Sequence, residues 1–158
     1  MRIRLLAMDV DGTMTDGKIY IGQNGELMKA FNVKDGQGIA LLRESGVITA
    51  IITARQSDIV KRRAEELHID EVCQGIRDKA SVLRTLCEKY GISPDEIAYI
   101  GDDIGDLPAL AFAGVSMCPA DAVAAVKREA DIVLPSKGGE GAIRDAAERI
   151  LAAGRTED

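Results

Sequence analysis

The chain has 158 residues and a formal net charge of −6, a length that suits one compact domain with a full core over 1–158 and leaves a second cramped. Its one basic cluster, Lys61-Arg62-Arg63, is balanced by Glu65 and Glu66, which argues against a nucleic-acid surface because phosphate-backbone binding needs clustered cations. Cys73, Cys87 and Cys118 are too few and too scattered for a disulfide framework or a thiolate metal site, and with no apolar run of membrane-spanning length and no signal-like segment after Met1, a cytoplasmic protein without a membrane partner is expected.

The first predicted element is a strand over 3–10, whose apolar run Leu5-Leu6-Ala7-Met8 opens into Asp9-Val10-Asp11-Gly12-Thr13. Asp9 and Asp11 share a face of that strand, and two buried like charges need a cation or a proton between them. Next, 18–21 and 26–32 flank Gly22-Gln23-Asn24-Gly25 and read as a β-hairpin. Placed directly after the opening motif, the hairpin is an edge decoration, an oligomer contact or a substrate lid. Beyond it, helices at 36–44, 57–67, 79–90, 107–113, 122–128 and 141–153 alternate with strands at 47–53, 71–74, 97–101, 115–117 and 131–134. A turn at Ser93-Pro94-Asp95-Glu96 precedes the strand at 97–101, and 154–158 reads as a frayed end. Alternation of this kind predicts an α/β fold, a parallel sheet covered by helices in three layers.

In such a sheet the chemistry gathers where strands reach their carboxyl edge. The strand ends here supply Asp9 and Asp11, then Thr53-Ala54-Arg55, then Gly101-Asp102-Asp103-Ile104-Gly105-Asp106, and Lys79 opens the helix that follows 71–74. Clustered carboxylates without His or Cys suit a hard cation such as Mg²⁺, which takes oxygen ligands and draws in phosphate. The residue types then divide a phosphoryl transfer among them. Asp9 is the nucleophile, and Asp11 protonates the leaving alkoxide and later activates water. Thr53 donates to a phosphoryl oxygen and Lys79 neutralises developing charge. His68, at a helix end, is assigned no role.

These four blocks, DVDGT at 9–13, Thr53, Lys79 and GDDIGD at 101–106, resemble in order the four motifs of the haloacid dehalogenase-like (HAD) phosphatases. The resemblance implies a Rossmann-like HAD fold, with Mg²⁺ held by Asp9, the Asp11 carbonyl and Asp102. Asp106 would support the metal or Lys79, and Asp103 is the alternative ligand. Between Thr13 and Thr53 there is room only for the hairpin and one helix, so the chain is similar to the class without a cap domain. The segments at 31–36, 53–57, 63–67, 74–75 and 138–144 are similar to the 3-deoxy-D-manno-octulosonate 8-phosphate (KDO 8-phosphate) phosphatases. By that resemblance the protein is a homotetramer whose hairpins form a small barrel and whose active site is covered by a neighbouring subunit. The substrate is a phosphorylated sugar acid, bound through Asn32, Lys34, Asp35, Gly36, Arg55 and Arg63. The chain departs from the pattern at Ala54, where the family usually has Gly, and at Ala40, where it often has Arg.

Two other readings remain at this level. A nine-carbon, sialic-type substrate such as KDN 9-phosphate would fit the same motifs, although relatives of that kind often carry an acidic residue at position 55. A non-catalytic receiver-like or assembly module would use similar residues, but a receiver carries its phospho-acceptor on a later strand, and strand 71–74 ends in Cys73-Gln74.

Overall fold

The computed structural model describes residues 2–155. Its centre is a six-stranded, wholly parallel sheet in the order β5-β4-β1-β6-β7-β8, with strands β1 (Leu5–Met8), β4 (Ile48–Ile52), β5 (Glu71–Cys73), β6 (Ile97–Ile100), β7 (Val115–Cys118) and β8 (Ile132–Val133). A separate two-stranded hairpin, β2 (Tyr20–Gly22) with β3 (Gly25–Met28), precedes the first helix. The chain starts mid-sheet, builds outward through β4 and β5, then crosses to β6, so the strand order reverses between β1 and β6. That reversal opens a crevice at the carboxyl edge, where sheets of this kind bind ligands.

Both faces of the sheet are covered, which is why its strands read as unbroken apolar runs rather than alternating ones. Leu6, Met8, Ile51 and Ile100 pack with residues of α1 (Val33–Glu44), α2 (Asp58–Glu66) and α6 (Ala142–Arg155). On the opposite face Leu5, Ala7, Ile52 and Tyr99 pack with α3 (Lys79–Tyr90), α4 (Leu107–Phe112) and α5 (Ala124–Glu129). Each of the largest core side chains contributes about 1.5–3 kcal/mol by leaving water.

Boundaries differ from the sequence expectations where polar chemistry intervenes. β1 stops at Met8, because the backbone from Val10 onward closes a turn in which Thr13, Met14 and Thr15 N–H groups all donate to the Val10 carbonyl. α1 begins at Val33, three residues before the expected start, because the Asn32 side chain caps it by accepting the Lys34 N–H at 2.8 Å. Its predecessor β3 is correspondingly shorter than 26–32. The expected turn before β6 is a short 3₁₀ helix, Pro94–Glu96, closed by a capping box between Ser93 and Glu96. α6 continues to Arg155, so the first part of the expected frayed end is helical, and 156–158 lie outside the described residues. No helix among the described residues is long and apolar enough to cross a membrane.

Candidate active site

The register of the sheet assembles the site. Met8 pairs with Ile51 on one side and Ile100 on the other, so Asp9, Thr53 and Asp102 leave three adjacent strands at the same edge. Asp9 is fixed by its own N–H, which donates to the Ile100 carbonyl, and its side chain accepts a hydrogen bond from Lys79 Nζ at 2.8 Å. Lys79 reaches there because the Asp78 side chain caps α3 immediately before it, aiming the first helical residue at the sheet edge. Thr53, 2% exposed, is anchored by its backbone, which bonds to Cys73 and Ile76.

Asp106 organises the other side of the crevice with every oxygen it has. Oδ1 accepts from Lys79 Nζ at 2.7 Å and from the buried Tyr99 hydroxyl at 2.5 Å. Oδ2 accepts the N–H groups of Asp102 and Asp103 at 3.0 and 3.2 Å. The run Tyr99–Asp106–Lys79–Asp9 is therefore one connected network whose members fix each other's geometry. Asp103 instead turns its carboxylate to the Ile104 N–H at 2.7 Å, capping the short helix there.

Asp102 is held by the Thr13 hydroxyl at 3.1 Å. It lies so close to the turn after β1 that a Cβ on Gly12 would fall 2.0 Å from Asp102 Oδ2, and Gly12 also takes φ +89°, a conformation that glycine alone adopts readily. The Gly138-Gly139 loop braces the same turn from outside. A Cβ on Gly138 would meet the Gly12 carbonyl at 2.0 Å, and Gly139 N–H donates to the Thr13 carbonyl. Asp11 lies in this turn, its Oδ1 2.5 Å from Lys29 Nζ and its Oδ2 3.9 Å from Arg55 Nε.

Comparison with known proteins places this geometry. The model of haloacid dehalogenase-like hydrolases matches residues 71–145. The 3-deoxy-D-manno-octulosonate 8-phosphate phosphatase KdsC of Escherichia coli is 43% identical over 151 residues, covering 96% of this chain and 80% of that protein. The chain belongs to the KDO 8-phosphate phosphatase family of HAD hydrolases. Among solved structures, the family member from Moraxella catarrhalis, in complex with magnesium ion, phosphate ion and KDO, superposes with a TM-score of 0.93 at 44% identity, covering 96% of this chain and 87% of that one. The cobalt-bound family member from Haemophilus influenzae gives 0.93 at 39% identity, covering 96% and 89%.

As a HAD phosphatase the chain needs a divalent cation, and its donor set fits Mg²⁺. Carboxylate oxygens of Asp9, Asp102 and Asp106 lie within 4.8 Å of one another. Burial raises the Asp9 carboxyl above its ordinary value, and repulsion from Asp106 adds to this while Lys79 pulls the other way. Burial, together with contact and repulsion from Asp9, pushes Asp102 up to about 8. Such a pair calls for a cation between its members, and all its donors are oxygen. Since Asp106 has already committed both oxygens, Asp9 and Asp102 remain as carboxylate ligands. Lys79 is itself raised: burial alone would lower it, but Asp9 and Asp106 more than offset that, so it stays charged.

Of the residues expected at the sugar end, Arg55 faces Asp11, whereas Asn32, Asp35, Gly36 and Arg63 form a second group. Arg63 lies over the Phe31 ring at 5.6 Å, beside Gly36, and bonds to Glu66, and its Nε is buried without a hydrogen-bond partner among the described residues. Gly36 makes room for it, since a Cβ there would meet the Arg63 guanidinium at 2.9 Å. Asn32 spends its side chain on the cap of α1, and Asp35, 3% exposed, accepts the Arg144 N–H at 3.0 Å and so ties α1 to α6. None of the hydrogen bonds made by these residues reaches the Asp9 cluster. Lys29 and Tyr99 are the site residues the sequence reading missed. Their partners lie at Asp11 and Asp106, across a turn and a loop, and no local pattern announces either contact.

Proposed function

We propose that this chain is an Mg²⁺-dependent phosphomonoesterase that converts 3-deoxy-D-manno-octulosonate 8-phosphate to KDO and phosphate through a phosphorylated Asp9. The observation that carries the reading is Asp9 held by Lys79 beside Asp102 at the reversal of strand order, in a chain 44% identical to a phosphatase whose structure contains magnesium, phosphate and KDO.

In the first half-reaction Asp9 attacks phosphorus, a P–O bond to its carboxylate forms, and the bond to the sugar oxygen breaks while Asp11 hands that oxygen a proton. Lys79 neutralises negative charge as it builds on the phosphoryl group, and the Thr53 hydroxyl donates to one of its oxygens. In the second half Asp11 takes a proton from water as that water attacks phosphorus, and the bond to Asp9 breaks. Mg²⁺, held by Asp9, Asp102 and the main-chain carbonyl of Asp11, supplies charge neutralisation and polarises a phosphoryl oxygen. Asp106 and Tyr99 hold Lys79 and the Asp102 loop in register.

The sugar acid calls for cations to pair with its carboxylate, and Arg55, Arg63 and Lys34 are the groups available, the arginines offering bidentate geometry. Asn32, Asp35 and Gly36 serve by holding α1 and making room for Arg63. The protein acts as one domain in the cytoplasm, as a homotetramer. Exposed apolar side chains on the hairpin and at the start of α1, with Ile21 73%, Leu27 68% and Val33 81% exposed, support self-association. Phosphate release from a panel of KDO 8-phosphate, KDN 9-phosphate and hexose phosphates tests the substrate. KDO 8-phosphate should rank first by kcat/KM, and a rank below the hexose phosphates would overturn the assignment.

A further inference from the structure

Lys29 lies one residue past β3, in a hairpin whose apolar residues are largely open to solvent, yet its side chain is only 3% exposed. A buried ammonium is costly unless it is paired, and two carboxylates pair with this one. Asp11 Oδ1 is 2.5 Å away and Glu26 Oε1 3.2 Å. Glu26, on β3 itself, lies at ion-pair distance on the hairpin side, whereas Asp11 accepts a hydrogen bond from the ammonium from the turn after β1. A lysine serving the hairpin alone would need only Glu26.

For Asp11 the consequence is orientation. It lies in an irregular turn, and its recorded side-chain partners among the described residues are Lys29 on Oδ1 and, more loosely, Arg55 facing Oδ2 at 3.9 Å. Oδ2 faces a half-exposed guanidinium at long range, while Oδ1 is in contact with the buried ammonium. The two oxygens are thus unequal before any substrate arrives.

We propose that Lys29 is a positioning residue that occupies Asp11 Oδ1 and thereby makes Oδ2 the oxygen that delivers and retrieves the proton, so that the hairpin forms part of the reaction centre. The inference rests on the reading of Asp11 as acid and base given above. The Oδ2–H bond breaks as the proton passes to the leaving oxygen and the ester P–O bond opens. Oδ2 regains a proton from water in the second half. Lys29 exchanges no proton with the substrate.

Substituted phenyl phosphates, from nitrophenyl to unsubstituted phenyl, test this with Mg²⁺ present. Their leaving groups differ in how much they need a proton, and kcat/KM reports the steps through phosphorylation of Asp9. In Lys29→Met, kcat/KM for unsubstituted phenyl phosphate should fall about 10–100-fold while that for nitrophenyl phosphate falls less than about threefold, steepening the leaving-group dependence. Lys29→Arg should restore most of the lost rate, and Lys29→Met should cost nothing further on an Asp11→Asn background. A misfolded fraction lowers every rate alike, so the slope stays informative even if the variant is unstable. An equal loss across the series, or a further loss on the Asp11→Asn background, would overturn the role of Lys29. If the wild type hydrolyses none of these esters nor KDO 8-phosphate, the phosphatase reading fails and the role of Lys29 falls with it.

Discussion

Asp9 and Asp102 are buried next to each other, and the sign of their perturbation sets how the metal-free protein responds to pH. Both carboxyls are raised, Asp102 from 3.8 to about 8, so between those values the folded chain keeps a proton at Asp102 that the unfolded chain has lost, and Asp9 shifts in the same direction. Stability of the metal-free protein therefore falls as pH climbs through that window. Mg²⁺ displaces those protons, so it should raise the melting temperature more at about pH 8 than at about pH 5. At a hundredfold excess over its dissociation constant the gain is about 2.7 kcal/mol, or several degrees for a chain of this size. Thermal melts with Mg²⁺ against a chelator check this, and Asp102→Asn should remove most of both the pH slope and the metal effect. Tyr99→Phe leaves Asp106 with one donor fewer and should lower kcat several-fold while Mg²⁺ affinity holds.

At the scale of elements, the turn after β1 and the start of α1 carry the most tension. Gly12→Ala forces a side chain into φ +89° and onto Asp102 Oδ2, which should cost about 1–3 kcal/mol of strain and weaken Mg²⁺ binding, measurable by denaturant melts and metal titration. Asp35 ties α1 to α6, and burial raises it to about 6. Between its ordinary value and about 6 the folded state again holds the extra proton, so stability should drop by up to about 3 kcal/mol as pH rises through that range. Asp35→Asn should flatten that drop in melts taken across the window. The parallel strands were legible because burial on both faces leaves β1 wholly apolar and β6 apolar but for the Tyr99 hydroxyl. The start of α1 was not. Phe31-Asn32-Val33 continues the apolar-polar alternation of a strand, and only the Asn32 side chain turning onto the Lys34 N–H decides for helix. The carboxyl-edge residues could be read from strand ends alone, whereas Lys29 depends on how the hairpin folds back over the turn, a long-range contact that no local pattern carries.

For the whole molecule, the sheet and its two helical layers present one reacting edge, while the hairpin presents an apolar surface next to it. The strand order that puts β1 between β4 and β6 is what gathers Asp9, Thr53 and Asp102; the alternation of apolar runs with helical segments implied the parallel sheet but not that order. Assembly is the property that one chain shows least directly, since it depends on what covers Ile21 and Leu27. Replacing both with Lys should shift the proposed tetramer to smaller species in light scattering, and an unchanged mass would argue that the hairpin is not the contact. The most direct test of the whole account is phosphate release from KDO 8-phosphate, with Mg²⁺, by the wild type and by Asp9→Asn. The account predicts steady release by the wild type and a loss of at least about a thousandfold in the folded variant. Turnover by Asp9→Asn within about tenfold of the wild type would contradict it.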